Sequence, residues 1–254
     1  MEYQEITARL ADLPGHIGLY YKNLVNGEEL GFHEKELFQS ASVIKLPIYA
    51  ALMKLRQEGR LDFRERLCCR EEDKLPSCGA LQHFTGQVDA DIQSLCALMI
   101  CLSDNSATNL LIRRLGMDRL NEEFRAMGLA HSRLERLLFD GEAAAQGLEN
   151  RIVPEEIGQL LERIARRRFL SPALSEEMEA LLLRQQIRHK IPGYLPRGTP
   201  VAHKTGEDEG ITNDMGVVYA RQPFVLCFAS NRTDLARAER CLRSLALTLY
   251  TRCS

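Results

Sequence analysis

Three short strings in this chain could together supply the groups for nucleophilic catalysis at a serine. They read Ser-Val-Ile-Lys from Ser42 to Lys45, Ser-Asp-Asn from Ser103 to Asn105, and Lys-Thr-Gly from Lys204 to Gly206. A hydroxyl can attack a carbonyl or pass on a proton, and an amine can act as a base when neutral or hold an anion when charged. An S-x-x-K match is expected by chance about once in a chain of this size, but each of the other two strings in only roughly a few per cent of such chains. Their occurrence together therefore indicates one active site.

This ordered set resembles the motifs of the penicillin-binding proteins and β-lactamases, and its spacing is most similar to that of class A β-lactamases. The resemblance covers nearly the whole chain, from the strand pair before Ser42 to the last helix. It implies a serine hydrolase that a β-lactam or related amide acylates at Ser42. It also implies an α+β fold, in which a five-stranded antiparallel sheet with flanking helices lies beside an all-helical lobe.

The proposed catalytic residues are Ser42, Lys45, Ser103 and Lys204. Lys45 follows Ser42 by about one helical turn, which brings an amine beside the hydroxyl. To act as a base Lys45 must be neutral, and this requires burial and a second cation, for which Lys204 is the candidate. Ser103 would relay the proton to the departing amide nitrogen, because a hydroxyl both donates and accepts.

The proposed substrate-binding residues are Asn105, Thr205, Gly206 and Glu207. Asn105 would hold both the amide of the substrate and Lys45. Thr205 would offer its hydroxyl to a substrate carboxylate, and Gly206, which has no side chain, would let the substrate backbone lie along the strand edge. The family's oxyanion hole consists of main-chain N–H groups, which by position would be those of Ser42 and Glu207.

The chain departs from class A β-lactamases in the loop that supplies their deacylation base. Those enzymes carry, shortly after an arginine, a glutamate that activates water. Here the position two residues after Arg136 is Leu138, and counting back from Pro154 leads instead to Leu137. Both registers place a leucine where the family has its glutamate. We therefore expect the acyl-enzyme to be hydrolysed slowly.

Other residues of the same loop bear on this expectation. The asparagine that helps to hold the water in class A enzymes is also missing, since its place falls at Gly141 or Glu142. Asp140, Glu142 or Glu149 could still supply a base if the loop folds differently.

Two other functions are consistent with the motifs. One is a D,D-peptidase or another amidase or esterase of the penicillin-binding family. The other is a binding module that captures a β-lactam or peptide without turnover. An acyl-enzyme that survives without product formation would distinguish that module from the hydrolases.

Simpler interpretations of single residues must be weighed against these roles. Ser42 could merely cap a helix, and Ser103-Asp104-Asn105 could be a plain capping turn. His203, next to Lys204, fits a strand residue better than a catalytic base.

The pattern of apolar residues predicts the elements that position the motifs. A hairpin is expected from 16 to 32, because strand formers flank the turn pair at 26 and 27. A helix buried on all sides is expected from 43 to 55, with a local distortion at Pro47. The remaining elements are helical segments at 91–116, 150–168 and 175–186, strands at 201–205, 215–219 and 224–230, and a closing helix at 234–250.

Length and charge fit a compact enzyme. The chain has 254 residues, of which 45% are apolar, and a net charge of −2. We expect one β-lactamase-like catalytic domain over 1–254, with a sheet lobe at 1–40 and 200–254 and a helical lobe at 41–199. Its interleaved charges predict no nucleic-acid partner, and its longest central apolar stretch is too short to span a membrane. The expected partner is a small β-lactam or peptide-like molecule, and the oligomeric state is left open.

The eight cysteines give no sign of a metal site. They form no C-x-x-C pair and have no matching histidine spacing, so we interpret them as free thiols and expect neither a metal nor another cofactor. The residues from Met1 resemble no signal peptide, which predicts a cytoplasmic protein, or a secreted one if a leader has been removed.

Overall fold

The computed structural model describes residues 3–254. The chain divides into two compact units, one comprising the chain up to Val43 together with Arg151–Ser254, and the other comprising Ile44–Asn150. We call them the sheet unit and the helical unit.

A five-stranded antiparallel sheet forms the centre of the sheet unit. Its strand order is β2-β1-β9-β8-β7, so the two strands that precede the first motif lie beside the three that end the chain. The strands are β1 (His16–Asn23), β2 (Glu29–Phe32), β7 (Val201–Asp208), β8 (Ile211–Val218) and β9 (Phe224–Asn231). This confirms the predicted sheet.

Helices cover both faces of this sheet. On one face α1 (Tyr3–Ala11) and α9 (Leu235–Arg252) share an apolar core with Leu19 and Tyr21 of β1. Tyr20 lies between those residues and points the opposite way, because alternate side chains of a strand face opposite sides. On that second face lie α7 (Pro154–Ala165) and α8 (Pro172–Leu182), and a Cβ added to Gly158 of α7 would stand 2.2 Å from the Tyr20 ring.

The position of α7 and α8 corrects the predicted lobe boundaries. Residues 151–199 were assigned to the helical lobe, but they belong to the sheet unit. The physical reason is that α7 is amphipathic and buries its apolar residues, Ile157, Leu160 and Leu161 among them, against the sheet. A pattern of helical residues cannot reveal which partner its apolar face will cover.

Four longer helices pack together in the helical unit. They are α2 (Lys45–Gln57), α3 (Ile92–Cys101), α4 (Asn105–Leu115) and α5 (Met117–Ala126), and α6 (Gly141–Ala145) is a single short turn of helix. As predicted, α2 is buried nearly all round, and Pro47 lies within its first turn, where a missing N–H breaks no helical hydrogen bond. The two strands β4 (Arg66–Cys69) and β5 (Val88–Asp91) form a separate antiparallel pair.

Several elements were not predicted. They include α1, α5 and α6, the β4–β5 pair, and the two-residue pairing of β3 (Phe38–Gln39) with β6 (Arg151–Ile152). Each either is too short to show a clear repeat of apolar residues or lacks flanking residues typical of turns. The eight cysteines are all free thiols, as predicted. Among residues 3–254, the structure contains no helix with the length and apolar character needed to cross a membrane.

Candidate active site

Ser42 lies in a 3₁₀ turn, Ala41–Ile44, that continues without a break into α2. The predicted start of the α-helix at 43 is therefore two residues too early, because the α-helix begins at Lys45. The N-cap residue is Ile44, which makes no side-chain cap hydrogen bond, so Ser42 is not the N-cap residue of α2. Ala41 has a φ of +41°, a left-handed conformation that costs a non-glycine residue about 1–3 kcal/mol. The segment Ser40–Val43, which we call the nucleophile loop after the role predicted for Ser42, thus carries local strain immediately before Ser42.

Lys45 is the centre of a polar network in the helical unit. Its side chain is fully buried, and its Nζ donates to the Ser103 carbonyl at 2.7 Å, to Ser103 Oγ at 3.1 Å and to Asn105 Oδ1 at 2.8 Å. An ammonium can donate to all three of these acceptors. A neutral amine has two N–H groups and a lone pair, so Lys45 acting as a base could still donate to the two carbonyl oxygens and accept from the Ser103 hydroxyl. The structure thus brings together Lys45, Ser103 and Asn105, as predicted.

The turn at 103–105 has both a capping and a positioning role. Asp104 caps α4 by accepting from the Ala107 N–H at 2.9 Å, so the capping interpretation is right for this residue. Its other carboxylate oxygen accepts from the N–H groups of Ala80 at 2.7 Å and Leu81 at 2.9 Å. Ser103 adopts a left-handed φ of +56°. Asp104 therefore ties a loop of the helical unit to the turn that presents Ser103 to Lys45.

The Lys-Thr-Gly motif lies on β7, an edge strand of the sheet. Lys204 is fully buried and its Nζ donates to the Thr205 carbonyl at 2.8 Å. A Cβ added to Gly206 would lie 2.8 Å from the Ser40 carbonyl oxygen and 3.2 Å from the Ser42 nitrogen. The glycine is thus required for close packing of β7 on the nucleophile loop. The other predicted reason for this glycine, room for a substrate along the strand edge, stays a prediction.

Lys190 is a buried cation behind β7 that sequence reasoning missed. Its Nζ donates to the carbonyls of Gly206 at 2.8 Å and Asn213 at 3.2 Å, and lies 3.2 Å from Glu207 Oε1. Since Gly206 and Asn213 are cross-strand partners, Lys190 links β7 to β8 at the motif. Burial lowers the pKa of Lys190, while the charges of Glu207 and Asp214 oppose this shift. An isolated lysine between two elements carries no motif that would have identified it.

Two further buried residues of β8 support the motif strand and the nucleophile loop. Asn213 donates through Nδ2 to the Ser40 carbonyl at 3.1 Å. Asp214 pairs with His203 Nδ1 at 2.8 Å and accepts from the Ile191 N–H at 2.9 Å. His203 is fully buried within β7, which confirms its interpretation as a strand residue.

The loop from 133 to 150 is held from both ends. Arg136 and Glu149 form an ion pair at 3.0 Å. Asn109 of α4 binds the main chain of Leu138 twice, since its Nδ2 donates to the Leu138 carbonyl and its Oδ1 accepts from the Leu138 N–H, each at 2.9 Å. The backbone of Leu138 is therefore fixed relative to α4.

The acidic residues that could replace the missing base differ in their surroundings within this loop. Asp140 caps α6 by accepting from the Ala143 N–H at 3.0 Å, and Glu149 is paired with Arg136. Glu142 is exposed to solvent. The fold of the loop therefore gives Asp140 and Glu149 structural partners.

Comparison with known proteins gives a consistent set of similarities. The model of the beta-lactamase enzyme family matches residues 2–253. A β-lactamase of Rhodobacter capsulatus is 31% identical over 135 residues, a match that spans 52% of this chain and 46% of that protein. A β-lactamase of Streptomyces lavendulae is 29% identical over 232 residues, which cover 88% of this chain and 74% of that protein.

Two solved structures are similar over nearly their whole length. PBP-A is 29% identical with a TM-score of 0.89, and the match covers 98% of this chain and 94% of that chain. A β-lactamase from Sphaerobacter thermophilus DSM 20745 is 26% identical with a TM-score of 0.90, and the match covers 100% of this chain and 98% of that one. A variant of PBP-A in which a glutamate replaces a leucine has been solved as an acyl-enzyme complex with penicillin G.

Proposed function

Because the chain belongs to the beta-lactamase enzyme family and is a β-lactamase-type serine hydrolase, we propose that β-lactams acylate it at Ser42 and that the acyl-enzyme is hydrolysed slowly. The observation that carries the proposal is the contrast between two parts of the helical unit. Lys45 contacts both Ser103 and Asn105, whereas a leucine, Leu138 or Leu137 by the two counts, stands where class A enzymes have their deacylation base.

Acylation requires a base for the serine and an acid for the leaving nitrogen. In the proposed reaction Ser42 Oγ attacks the lactam carbonyl and gives its proton to Lys45. The C–N bond then breaks, and Ser103 protonates the nitrogen and is reprotonated by Lys45. The 3.1 Å contact between Lys45 Nζ and Ser103 Oγ supplies the path for this last transfer.

The sheet unit would stabilise the developing charge. The main-chain N–H groups of Ser42 and Glu207 would donate to the oxyanion, an interaction worth about 3–4 kcal/mol per donor in related sites. A Cβ added to Gly206 would lie 3.2 Å from the Ser42 nitrogen, so close packing at Gly206 keeps these two segments adjacent. Lys204 and Thr205 would hold the carboxylate of the substrate, and Asn105 its amide.

Deacylation needs a water and a group that removes its proton. A leucine side chain can neither orient a water nor accept its proton. A positioned general base typically accelerates a reaction by about 10²–10⁴-fold. The PBP-A variant that carries a glutamate in place of a leucine was solved as a penicillin G acyl-enzyme. That acyl-enzyme belongs to the glutamate variant, so the expectation of slow hydrolysis in this chain rests on its leucine alone.

A peptide substrate is the second candidate, because the chain resembles PBP-A as closely as it resembles a solved β-lactamase, with TM-scores of 0.89 and 0.90. A D,D-peptidase would release the terminal residue of a peptide and transfer or hydrolyse the acyl group. In that case β-lactams would act as inhibitors that remain bound.

Intact-mass measurement over time after mixing with penicillin G tests the proposal. We expect one adduct per chain that persists after the free drug is removed, and no adduct with Ser42→Ala. A matched Ser77→Ala variant, in a loop serine outside the motifs, should still be acylated. An adduct on Ser103 or on a cysteine, or turnover without an accumulated adduct, would contradict the proposal.

A further inference from the structure

Two histidines and a glutamate form a cluster on the sheet unit, outside the motifs. His16 begins β1, and His33 and Glu36 lie in the segment between β2 and β3. His16 Nε2 is 2.6 Å from Glu36 Oε2, and one donor atom from each of the three residues lies within 4.8 Å of the others. All three remain accessible to solvent, and the Glu36 side chain is 53% exposed.

The rings of both histidines are held in place. His33 Nδ1 is 3.0 Å from the Ile17 carbonyl, and only a protonated ring nitrogen can pair with a carbonyl. In a neutral His33 the lone pair is therefore on Nε2, the arrangement that metal-binding histidines show when their other nitrogen donates to a carbonyl. His33 stacks on Phe32 at 4.2 Å between ring centroids, and His16 stacks on Phe38 at 4.1 Å.

We propose that His16, His33 and Glu36 bind a divalent transition metal ion of the zinc type. Two imidazole nitrogens and a carboxylate oxygen form a ligand set that suits Zn²⁺ and Co²⁺, whereas Ca²⁺ and Mg²⁺ prefer oxygen ligands alone. Tetrahedral ligands at zinc distances lie ~3.3 Å apart. Opening the 2.6 Å contact between His16 and Glu36 to that spacing needs only a small movement of an exposed carboxylate. Water would take the fourth position.

A second cluster, of one histidine and two glutamates, provides a contrast. His189, Glu207 and Glu239 also place ligand atoms within 4.8 Å of one another. There, however, Lys190 Nζ lies 3.2 Å from Glu207, and Arg243 lies 3.2 Å from Glu239. A metal would have to compete with both cations, so we assign no ion to this cluster, and His189 serves as the matched control.

Titration of chelator-treated protein with Co²⁺ tests the proposal. We expect one equivalent to bind, with the visible d–d bands of a four-coordinate ion and without thiolate charge-transfer absorption, which would report cysteine ligands. His33→Asn should lower the affinity by more than about tenfold, because loss of even an outer partner of a metal ligand costs 10–100-fold. Asparagine is chosen since His33 has a φ of +46°, which asparagine tolerates.

Two further variants and a stability measurement complete the test. His16→Gln should also weaken binding, while His189→Ala should leave it unchanged. Zn²⁺ should raise the unfolding temperature of the wild type and not that of His33→Asn, because an ion that binds only the folded state stabilises it. Equal Co²⁺ affinity in the wild type and His33→Asn, loss of binding in His189→Ala, or thiolate charge-transfer bands would each overturn the proposal.

Discussion

Asn109 and Leu138 are joined by two hydrogen bonds of 2.9 Å, in which one side-chain amide satisfies both the N–H and the carbonyl of the leucine. Asn109 is buried on α4, the helix that begins with the Ser103–Asn105 turn. The backbone of Leu138 is therefore held by the same helix that presents the proposed proton relay. Leu137 lacks this double tether, so a side chain at 138 is the better fixed of the two relative to α4.

Leu138→Glu should accelerate deacylation while leaving acylation nearly unchanged. A carboxylate can accept the proton of a water, and the tethered backbone limits where that carboxylate can lie. The full effect of a general base is about 10²–10⁴-fold, and we expect a part of it, since the water must also be held. Burst kinetics with a chromogenic cephalosporin measure both steps, and the wild type should give a burst near one equivalent followed by a slow phase.

Leu137→Glu is the matched control for that experiment. It introduces the same charge one residue away and should leave deacylation slow. Acceleration by Leu137→Glu alone would mean that the register is shifted, and rapid steady turnover by the wild type would identify another base, with Asp140 and Glu142 the first to test.

Lys45→Arg should reduce acylation by about 10²-fold or more, because guanidinium stays protonated and cannot act as a base. Lys204→Arg keeps the positive charge and should have a milder effect. Acylation rates measured at saturating and at low β-lactam separate the chemical step from binding. Equal losses in the two variants would argue against different roles for the two amines.

Gly206→Ala should impair both folding and acylation. The added Cβ would lie 2.8 Å from the Ser40 carbonyl oxygen, a backbone atom that cannot turn aside, and overpacking of this kind costs about 1–3 kcal/mol. Gly141→Ala is the control, because its Cβ would meet nothing within 4 Å. Urea unfolding and the acylation rate should change only in Gly206→Ala. Normal acylation in that variant would show that β7 can move away from the nucleophile loop without cost.

The stability contribution of Lys190 should rise with pH. Burial lowers its pKa in the folded protein, against the opposing charges of Glu207 and Asp214, so on raising the pH the folded protein loses this proton before the unfolded chain does. Between the two pKa values the unfolded state binds more protons, and the free energy of unfolding therefore increases with pH. The free energy of unfolding of wild type minus that of Lys190→Met should increase as the pH rises toward ~10.4, the ordinary pKa of lysine. A difference that falls over this range would mean that the pairing with Glu207 outweighs desolvation.

The sequence by itself determined the family, the sheet and the order of the motifs. The pattern of apolar residues predicts β1, α2, β9 and α9 well, because each buries most of its length. The three motifs can be recognised from their sequence and order alone, without knowledge of where they lie in the fold. The contact of Lys45 with Ser103 and Asn105 was also anticipated from these strings.

Tertiary structure alone decided which residues support those strings. Lys190, Asn213 and Asn109 act on main-chain atoms of residues distant along the chain, and single lysines or asparagines have no local pattern that indicates such partners. The assignment of α7 and α8 to the sheet depended likewise on what their apolar faces meet. The cluster of His16, His33 and Glu36 exists only because β1 and the segment after β2 lie side by side, a proximity set by strand pairing rather than by residue spacing.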